Sequence, residues 1–267
     1  MIRALAGMVA AALITARARM TGSLTVSGQW AAFATGVLAT AAGWGFAAIL
    51  FLFFVTSSGL TRWRGAEKHA LTVSTVPQLA ERNARQVFAN GGVFLVCCLA
   101  YIRLHDARAV TAALGAIAAA TADTWATEVG TILGGIPRSI TTWRPLARGM
   151  SGGVTAVGTL AAVVGAMGIA LVAIPLFHLS EARLPIAIAV GGVVGCLMDS
   201  LVGATIQARR WCERCGEWTE RRVHPCGYRS VHRRGFVAIT NDAVNLTCTG
   251  TGAVAAVVMA MILKRLA

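Results

Sequence analysis

The sequence is poor in charge, above all in negative charge: 11 acidic residues face 24 basic ones, and charged residues make up only 13% of the chain. That share is about half the usual one for a soluble domain. Together with 56% apolar residues and a mean hydropathy of +0.67, it excludes a water-soluble fold. Long segments of alternating polarity are missing too, which excludes an outer-membrane barrel. What the chain does have is apolar blocks near the twenty-residue crossing length, with 29 glycines and many alanines scattered through them. This is the composition of an all-α, polytopic helical membrane protein whose helices approach closely through small residues.

Apolar segments fall at 1–16, 29–42, 44–60, 87–102, 109–129, 153–177, 186–207 and 237–263, which predicts about 7–8 transmembrane helices in a single membrane domain, 1–267. Basic residues concentrate in three loops: Arg62, Arg64, Lys68, Arg82 and Arg85 in the first, Arg138, Arg144 and Arg148 in the second, and eight arginines of 208–235 in the third. Two spans separate each loop from the next, so all three share one face. The positive-inside bias makes that face cytoplasmic, as for a multi-pass protein of the inner membrane. Topology thereby accounts for the net charge of +13, and nucleic acid is not expected as a partner. Segment 29–42 is short for a crossing and reads as one arm of a hairpin broken at Gly43-Trp44-Gly45, or as re-entrant. Residues 1–16 read as a retained helix rather than a signal peptide, because Arg17 does not fit a cleavage tripeptide.

Four acids, Asp123, Glu128, Asp199 and Asp242, fall within or at the edge of the spans, where ionised groups are expensive and mark function. All four lie toward the basic-loop face. Gly191, Gly195, Asp199, Gly203 and Gln207 recur every fourth residue and form a small, polar stripe that faces protein. Asn241, Asn245 and Thr249 form another; Arg82, Gln86 and Asn90 form a third, with Asn83 beside it. Taken singly, Gln207, Thr249 and Asn90 fit interhelical hydrogen bonds as well as they fit a site. Four carboxylates together repel unless cations neutralise them, and no basic residue lies inside the same spans. Mg²⁺ held by Asp123, Asp199, Asp242 and Asn245 is therefore expected. Asp123 and Glu128 stand about 140° apart on an ideal helix, so sharing one site requires that helix to end or unwind before Gly130.

On the anion side, Arg138, Arg144 and Arg148 lead into Gly149-Met-Ser-Gly-Gly153 at the start of the next span, where backbone N–H groups around Ser151, Gly152 and Gly153 are expected to receive phosphate. Carboxylates, arginines and a Gly-rich helix start on one face suit Mg²⁺-assisted phosphoryl or nucleotidyl transfer at the bilayer surface. A separate cluster, Cys212-Glu-Arg-Cys215 with His224-Pro-Cys226, occupies a cytoplasmic loop insert at 208–235. It offers the four soft ligands of a structural Zn²⁺, the alternative being free thiols in a reducing compartment. Four protein ligands leave no open position for catalysis there.

Six motifs, in order along the chain, resemble the integral membrane family called domain of unknown function 92: Ser57-Ser-Gly-Leu-Thr-Arg62, Arg82-Asn-Ala-Arg-Gln-Val-Phe-Ala-Asn90, Ala122-Asp-Thr-Trp-Ala-Thr-Glu-Val-Gly130, Gly149-Met-Ser-Gly-Gly153, Asp199-Ser-Leu-Val-Gly203 with Gln207, and Asn241-Asp-Ala-Val-Asn245. That family includes the plant phytyl-phosphate kinase. Asp123, then Arg138 or Arg148, then Ser151-Gly152 are also similar in order to CTP-dependent polyprenol and dolichol kinases, although the usual lysine of the small run is absent. The resemblance implies a kinase acting on an isoprenoid monophosphate with CTP or another nucleoside triphosphate. In that reading Asp123, Asp199 and Asp242 hold Mg²⁺, Glu128 and Asn245 support them, and Arg82, Arg85, Arg138 and Arg148 take phosphate oxygens, with Asn83, Gln86 and Asn90 beside them. The other readings are a lipid nucleotidyltransferase of the CDP-lipid type and an ion-coupled transporter, whose ionisable groups would sit nearer the midplane on broken helices.

Overall fold

The structure is a computed structural model that describes residues 2–76 and 81–266, with side chains from residue 5 onward. Its helices are α1 (Ile2–Met20), α2 (Val26–Ala42), α3 (Trp44–Arg62), α4 (Gly65–Thr72), α5 (Ala84–Leu104), α6 (Ala107–Leu133), α7 (Ala156–Phe177), α8 (Arg183–Thr205) and α9 (Asn241–Leu266). The strands are short. β1 (Arg138–Ser139) pairs antiparallel with β2 (Gly153–Val154), and β3 (Arg209–Cys212) lies between β4 (Glu217–Thr219) and β5 (Val231–Arg234), both antiparallel to it.

The chain is an integral, all-α polytopic membrane protein. Among the described residues, six helices (α3, α5, α6, α7, α8 and α9) are long and apolar enough to cross a bilayer, rather than the seven or eight expected. The difference lies in the first two helices. With 17 residues α2 is about 25 Å long, short of a hydrocarbon core of about 30 Å, and α1 carries Arg17 and Arg19 in its last turn. The expected hairpin does form: α2 and α3 run antiparallel about Gly43, and the α1–α2 connection returns to the basic-loop face. There Arg62 donates to the Thr21 carbonyl at 2.8 Å and the Thr25 N–H donates to the Arg82 carbonyl at 3.1 Å.

The bundle is built around α6, whose residues 113–122 are buried on every side, as a helix enclosed by other helices must be. Alanine and glycine occupy most of that stretch because α8 and α9 approach almost backbone to backbone. A Cβ on Gly115 would lie 2.6 Å from the Gly252 carbonyl oxygen, and one on Gly195 2.6 Å from that of Cys248. The stripe of small residues on α8 thus faces protein, as its spacing predicts. At the far end, Phe46 packs edge-on against Phe177 at 4.9 Å and beside Tyr101 at 5.2 Å, closing the bundle with aromatic rings. Leu13, Val96, Leu160, Leu171 and Val254 point outward, as lipid-facing positions do.

Candidate functional site

Among the described residues, no such plug closes the basic-loop end. Helices α3, α6 and α8 end there, α5, α7 and α9 begin there, and together with α4 and the 148–155 loop they surround a cavity of about 820 Å³. That is the size of a small-molecule site. Eleven of the expected site residues line it: Asp123, Glu128, Asp199, Arg82, Gln86, Asn90, Arg148, Ser151, Gly152, Gly153 and Asn245. Four do not. Asn241 and Asn245 supply the lining face of α9, which turns Asp242 away from the cavity. Asn83 caps α5 instead, accepting the Gln86 N–H at 3.2 Å while its own N–H donates to Gln86 Oε1 at 3.0 Å. Arg85 is exposed, and Arg138 donates to the Trp143 carbonyl at 2.9 Å, tying down the segment between β1 and β2.

Asp123 and Glu128 both line the cavity although α6 neither ends nor unwinds before Gly130; it stays helical to Leu133. The expectation assumed a narrow site. Counting about 100° per residue, the lining positions run round α6 from Ala126 through Asp123 to Glu128, an arc of about 200°. The end of α6 projects into the cavity as a post, with the two carboxylates on different sides of it.

Those sides differ in charge. Glu128 forms an ion pair with Lys68, a residue of α4 that also lines the cavity. Thr61 Oγ1 donates to Glu128 Oε1 at 2.7 Å, and Lys68 Nζ also donates to the carbonyls of Leu60 at 2.6 Å and Thr61 at 2.8 Å at the end of α3. Arg82 stands within electrostatic reach of Glu128, and burial lowers the pKa of its guanidinium. The cation that neutralises Glu128 is thus Lys68, which comes from α4 rather than from a membrane span. On the other side, Asp199 has the carboxylates of Asp123 and Glu220 as electrostatic neighbours. Its Oδ2 is buried and has no hydrogen-bond donor among the described residues. An orphaned carboxylate oxygen beside a second carboxylate is the donor set that Mg²⁺ takes, since it needs one or two carboxylates plus substrate phosphates.

The Gly149–Gly153 segment does not begin a helix. It is a tight loop with Gly149 and Gly152 both at φ +82°; β2 begins at its last residue, Gly153, and α7 starts only at Ala156, capped by Thr155 Oγ1 accepting the Gly158 N–H at 2.9 Å. A Cβ on Gly152 would lie 2.5 Å from both Cα and N of Ala204, so the loop rests directly on α8. The helix-dipole argument for phosphate therefore does not apply to this loop. Its Ser151 N–H is already engaged, donating at 3.0 Å to Oε1 of Glu220, a residue the sequence reading passed over. Gln207 Nε2 donates to Glu220 Oε2 at 3.3 Å, and burial raises the pKa of that carboxyl. Arg209 reinforces the contact, donating to the carbonyls of Ser151 at 2.6 Å and Gly203 at 2.9 Å. Arg148 lines the cavity with its guanidinium held by the Thr131 carbonyl at 2.8 Å.

Glu220 reaches this place from the 208–235 insert, immediately after β4. Within the insert, one ligand atom each of Cys212, Cys215, His224 and Cys226 lies within 4.8 Å of all the others. Cys212 Sγ and Cys226 Sγ are 3.6 Å apart, and His224 Nδ1 is 3.3 Å from Cys226 Sγ. The His224 contact pulls the Cys226 thiol down to about 6. His232, on β5, is not part of the cluster.

The chain is similar in sequence to several proteins. Protein PGR of Arabidopsis thaliana is 32% identical over 235 residues, covering 79% of this chain and 81% of the plant protein. An uncharacterized membrane protein of Synechocystis is 30% identical over 193 residues, 70% of this chain and 73% of its own. One from Methanocaldococcus jannaschii is 36% identical over 129 residues, 48% of this chain and 52% of its own. No solved structure matches. The family profile described as integral membrane protein DUF92 matches residues 9–253, nearly the whole span over which the bundle and its cavity are built, and the chain belongs to that family.

Proposed function

We propose that the protein is a membrane-bound kinase that moves the terminal phosphoryl group of a nucleoside triphosphate, CTP favoured, onto an isoprenoid monophosphate such as phytyl phosphate. The observation that carries the reading is the polarity of the cavity: bare carboxylates of Asp123 and Asp199 at one side, and the cations Arg82, Lys68 and Arg148 elsewhere on its wall. Transfer breaks the bond between the terminal phosphorus and the nucleoside diphosphate and forms one to the acceptor oxygen. The acceptor needs no strong general base, because a phosphate monoester with a second pKa of about 6 is already largely ionised at neutral pH. The work is positioning and charge neutralisation.

Asp123 and Asp199 would hold Mg²⁺, which when bound neutralises phosphate oxygens in transfer. Arg82 and Arg148 take phosphate oxygens from the wall, and Gln86, whose Oε1 is occupied by the Asn83 N–H, offers its Nε2 as a donor. Ala162, Val193 and Leu197 line the side of the cavity between α7 and α8, an apolar bed for the first carbons of a prenyl chain whose remainder stays in the bilayer. With the basic loops on the cytoplasmic side, the mouth opens where nucleotide is available.

The test is transfer from γ-labelled CTP and ATP to phytyl and geranylgeranyl monophosphates by purified protein with Mg²⁺. Lipid diphosphate is the expected product, with Asp123→Asn, Asp199→Asn and Arg82→Ala each losing about 100-fold or more in rate, and Arg85→Ala, outside the cavity, keeping it. Folded wild type that transfers nothing with any pair, or that releases pyrophosphate and makes a nucleotidyl lipid, overturns the reading.

A further inference from the structure

We infer that Cys212, Cys215, His224 and Cys226 bind a structural Zn²⁺, and that this metal holds the 208–235 insert against the cavity so that Glu220 fixes the Gly149–Gly153 loop. The inference does not depend on the kinase reading.

The metal site is argued from distances. Zn–S bonds of about 2.3 Å at a tetrahedral angle separate two sulfurs by about 3.8 Å; Cys212 Sγ and Cys226 Sγ are 3.6 Å apart. A Zn–N bond of about 2.0 Å beside them requires about 3.5 Å between nitrogen and sulfur, and His224 Nδ1 is 3.3 Å from Cys226 Sγ. The other ring nitrogen, Nε2, is buried and lies 3.6 Å from Glu217 Oε2. A carboxylate behind a ligating histidine is the usual arrangement that orients the ring toward metal. The insert also has little else to fold it. Its three-stranded sheet has a Trp211–Trp218 pair, 5.2 Å between centroids, while Trp218, Val223, Tyr228 and Val231 remain exposed.

The connection to the cavity is equally local. Cys212 ends β3, and Glu217–Thr219 of β4 pairs directly with it. The next residues dock on the segment after α4: Thr219 Oγ1 donates to the Thr75 carbonyl at 3.2 Å, the Glu220 N–H donates to the same carbonyl at 2.7 Å, and Arg221 donates to the carbonyls of Val73 and Val76, each at 3.1 Å. Thr75 in turn donates to the Arg148 carbonyl at 2.7 Å. A four-residue metal knot thus sets the strand that delivers Glu220 to Ser151.

The experiment measures metal content and amide exchange on the full chain in detergent. Elemental analysis is expected to find about one Zn²⁺ per chain, falling to about a tenth or less in Cys215→Ser, whose side chain is exposed, and staying unchanged in Cys97→Ser on α5. Stripping the metal from wild type with a chelator is expected to speed amide exchange about tenfold or more in both 208–235 and 149–153, and returning Zn²⁺ reverses both. Glu220→Ala should release 149–153 with the zinc content intact, while Glu220→Gln, which retains an acceptor for the Ser151 N–H, keeps its protection. Absence of zinc, or equal loss in Cys97→Ser, overturns the metal site. Zinc whose removal leaves 149–153 protected, or a Glu220→Gln variant as exposed as Glu220→Ala, overturns the link to the cavity.

Discussion

Replacing Lys68 by methionine asks what the cation of α4 does. Lys68 and Glu128 keep only 11% and 17% of their side-chain exposure. At about 3 Å and an effective dielectric of about 20, the attraction between unit charges is about 5 kcal/mol, most of it offset by the cost of desolvating both groups. The net worth of the pair is therefore small, whereas removing one partner strands the other. For a largely buried pair that costs about 3–5 kcal/mol. The methionine also leaves the carbonyls of Leu60 and Thr61 without the ammonium that caps them, and leaves Glu128, among the described residues, with the Thr61 hydroxyl as its one hydrogen-bond donor. A loss near 4 kcal/mol lowers the melting temperature by about 10 °C in a chain of this size, readable from the fluorescence of the seven tryptophans. Glu128→Gln alone should cost about 1 kcal/mol, because Lys68 keeps its two carbonyls. The decisive variant is Lys68→Met with Glu128→Gln, which removes the stranded charge and should recover about 2 kcal/mol relative to Lys68→Met. A double variant as unstable as the lysine substitution alone would show that the ion pair is not what Lys68 serves, and would refute the charge argument for that side of the cavity.

Two further outcomes follow from geometry. Gly152→Ala forces a Cβ to within 2.5 Å of the Ala204 backbone at a φ of +82°, so it should cost about 3 kcal/mol or more, while Gly59→Ala and Gly250→Ala, with open space around the new Cβ, should be neutral or stabilise by up to about 1 kcal/mol in the same thermal assay. Burial raises the Glu220 carboxyl above its ordinary value of 4.5; the folded state then holds its proton more tightly than the unfolded one, so stability should fall as pH rises from 4.5 through the folded-state value, and Glu220→Gln should flatten that slope in thermal melts.

The sequence made the helices legible, and with them the residues that use helical spacing. Asp199 is readable because it sits in a four-residue stripe of glycines that only a protein-facing helix side tolerates, and Asn245 because Asn241 precedes it by one turn. Asp242 is acidic and stands three residues before Asn245, beside it on the helix surface, so spacing alone does not reveal that it stays outside the cavity lining. Periodicity could not size the cavity, so Asp123 and Glu128 looked incompatible on a regular helix. Lys68 and Glu220 were out of reach for another reason. Each lies in a loop-rich segment without period, and each meets a partner 60 or 69 residues distant. The one available signal for Glu220 was its place between the two halves of the Cys/His cluster, which implies that something between them has to be held still.

The site thus divides by origin. Helices α6, α8 and α9 supply carboxylates and amides whose positions are set by backbone packing too tight for a Cβ, so these groups are fixed by the bundle itself. The cation for Glu128 and the carboxyl at Ser151 come instead from α4 and the 208–235 insert, which meet at Thr75 just after α4: its carbonyl accepts from both Glu220 and Thr219, and its hydroxyl donates to the Arg148 carbonyl. Thr75 is buried, a single residue joining the first basic loop, the second and the third. With Glu220 on the Ser151 amide, a phosphate in the proposed reaction would meet a Ser151 N–H that is already satisfied, which leaves Arg82 and Arg148 on the cavity wall as its charged partners. Gly152 accordingly serves close packing on α8 and Gly149 close packing on Thr72, and in the proposed reaction the anion is received by side chains.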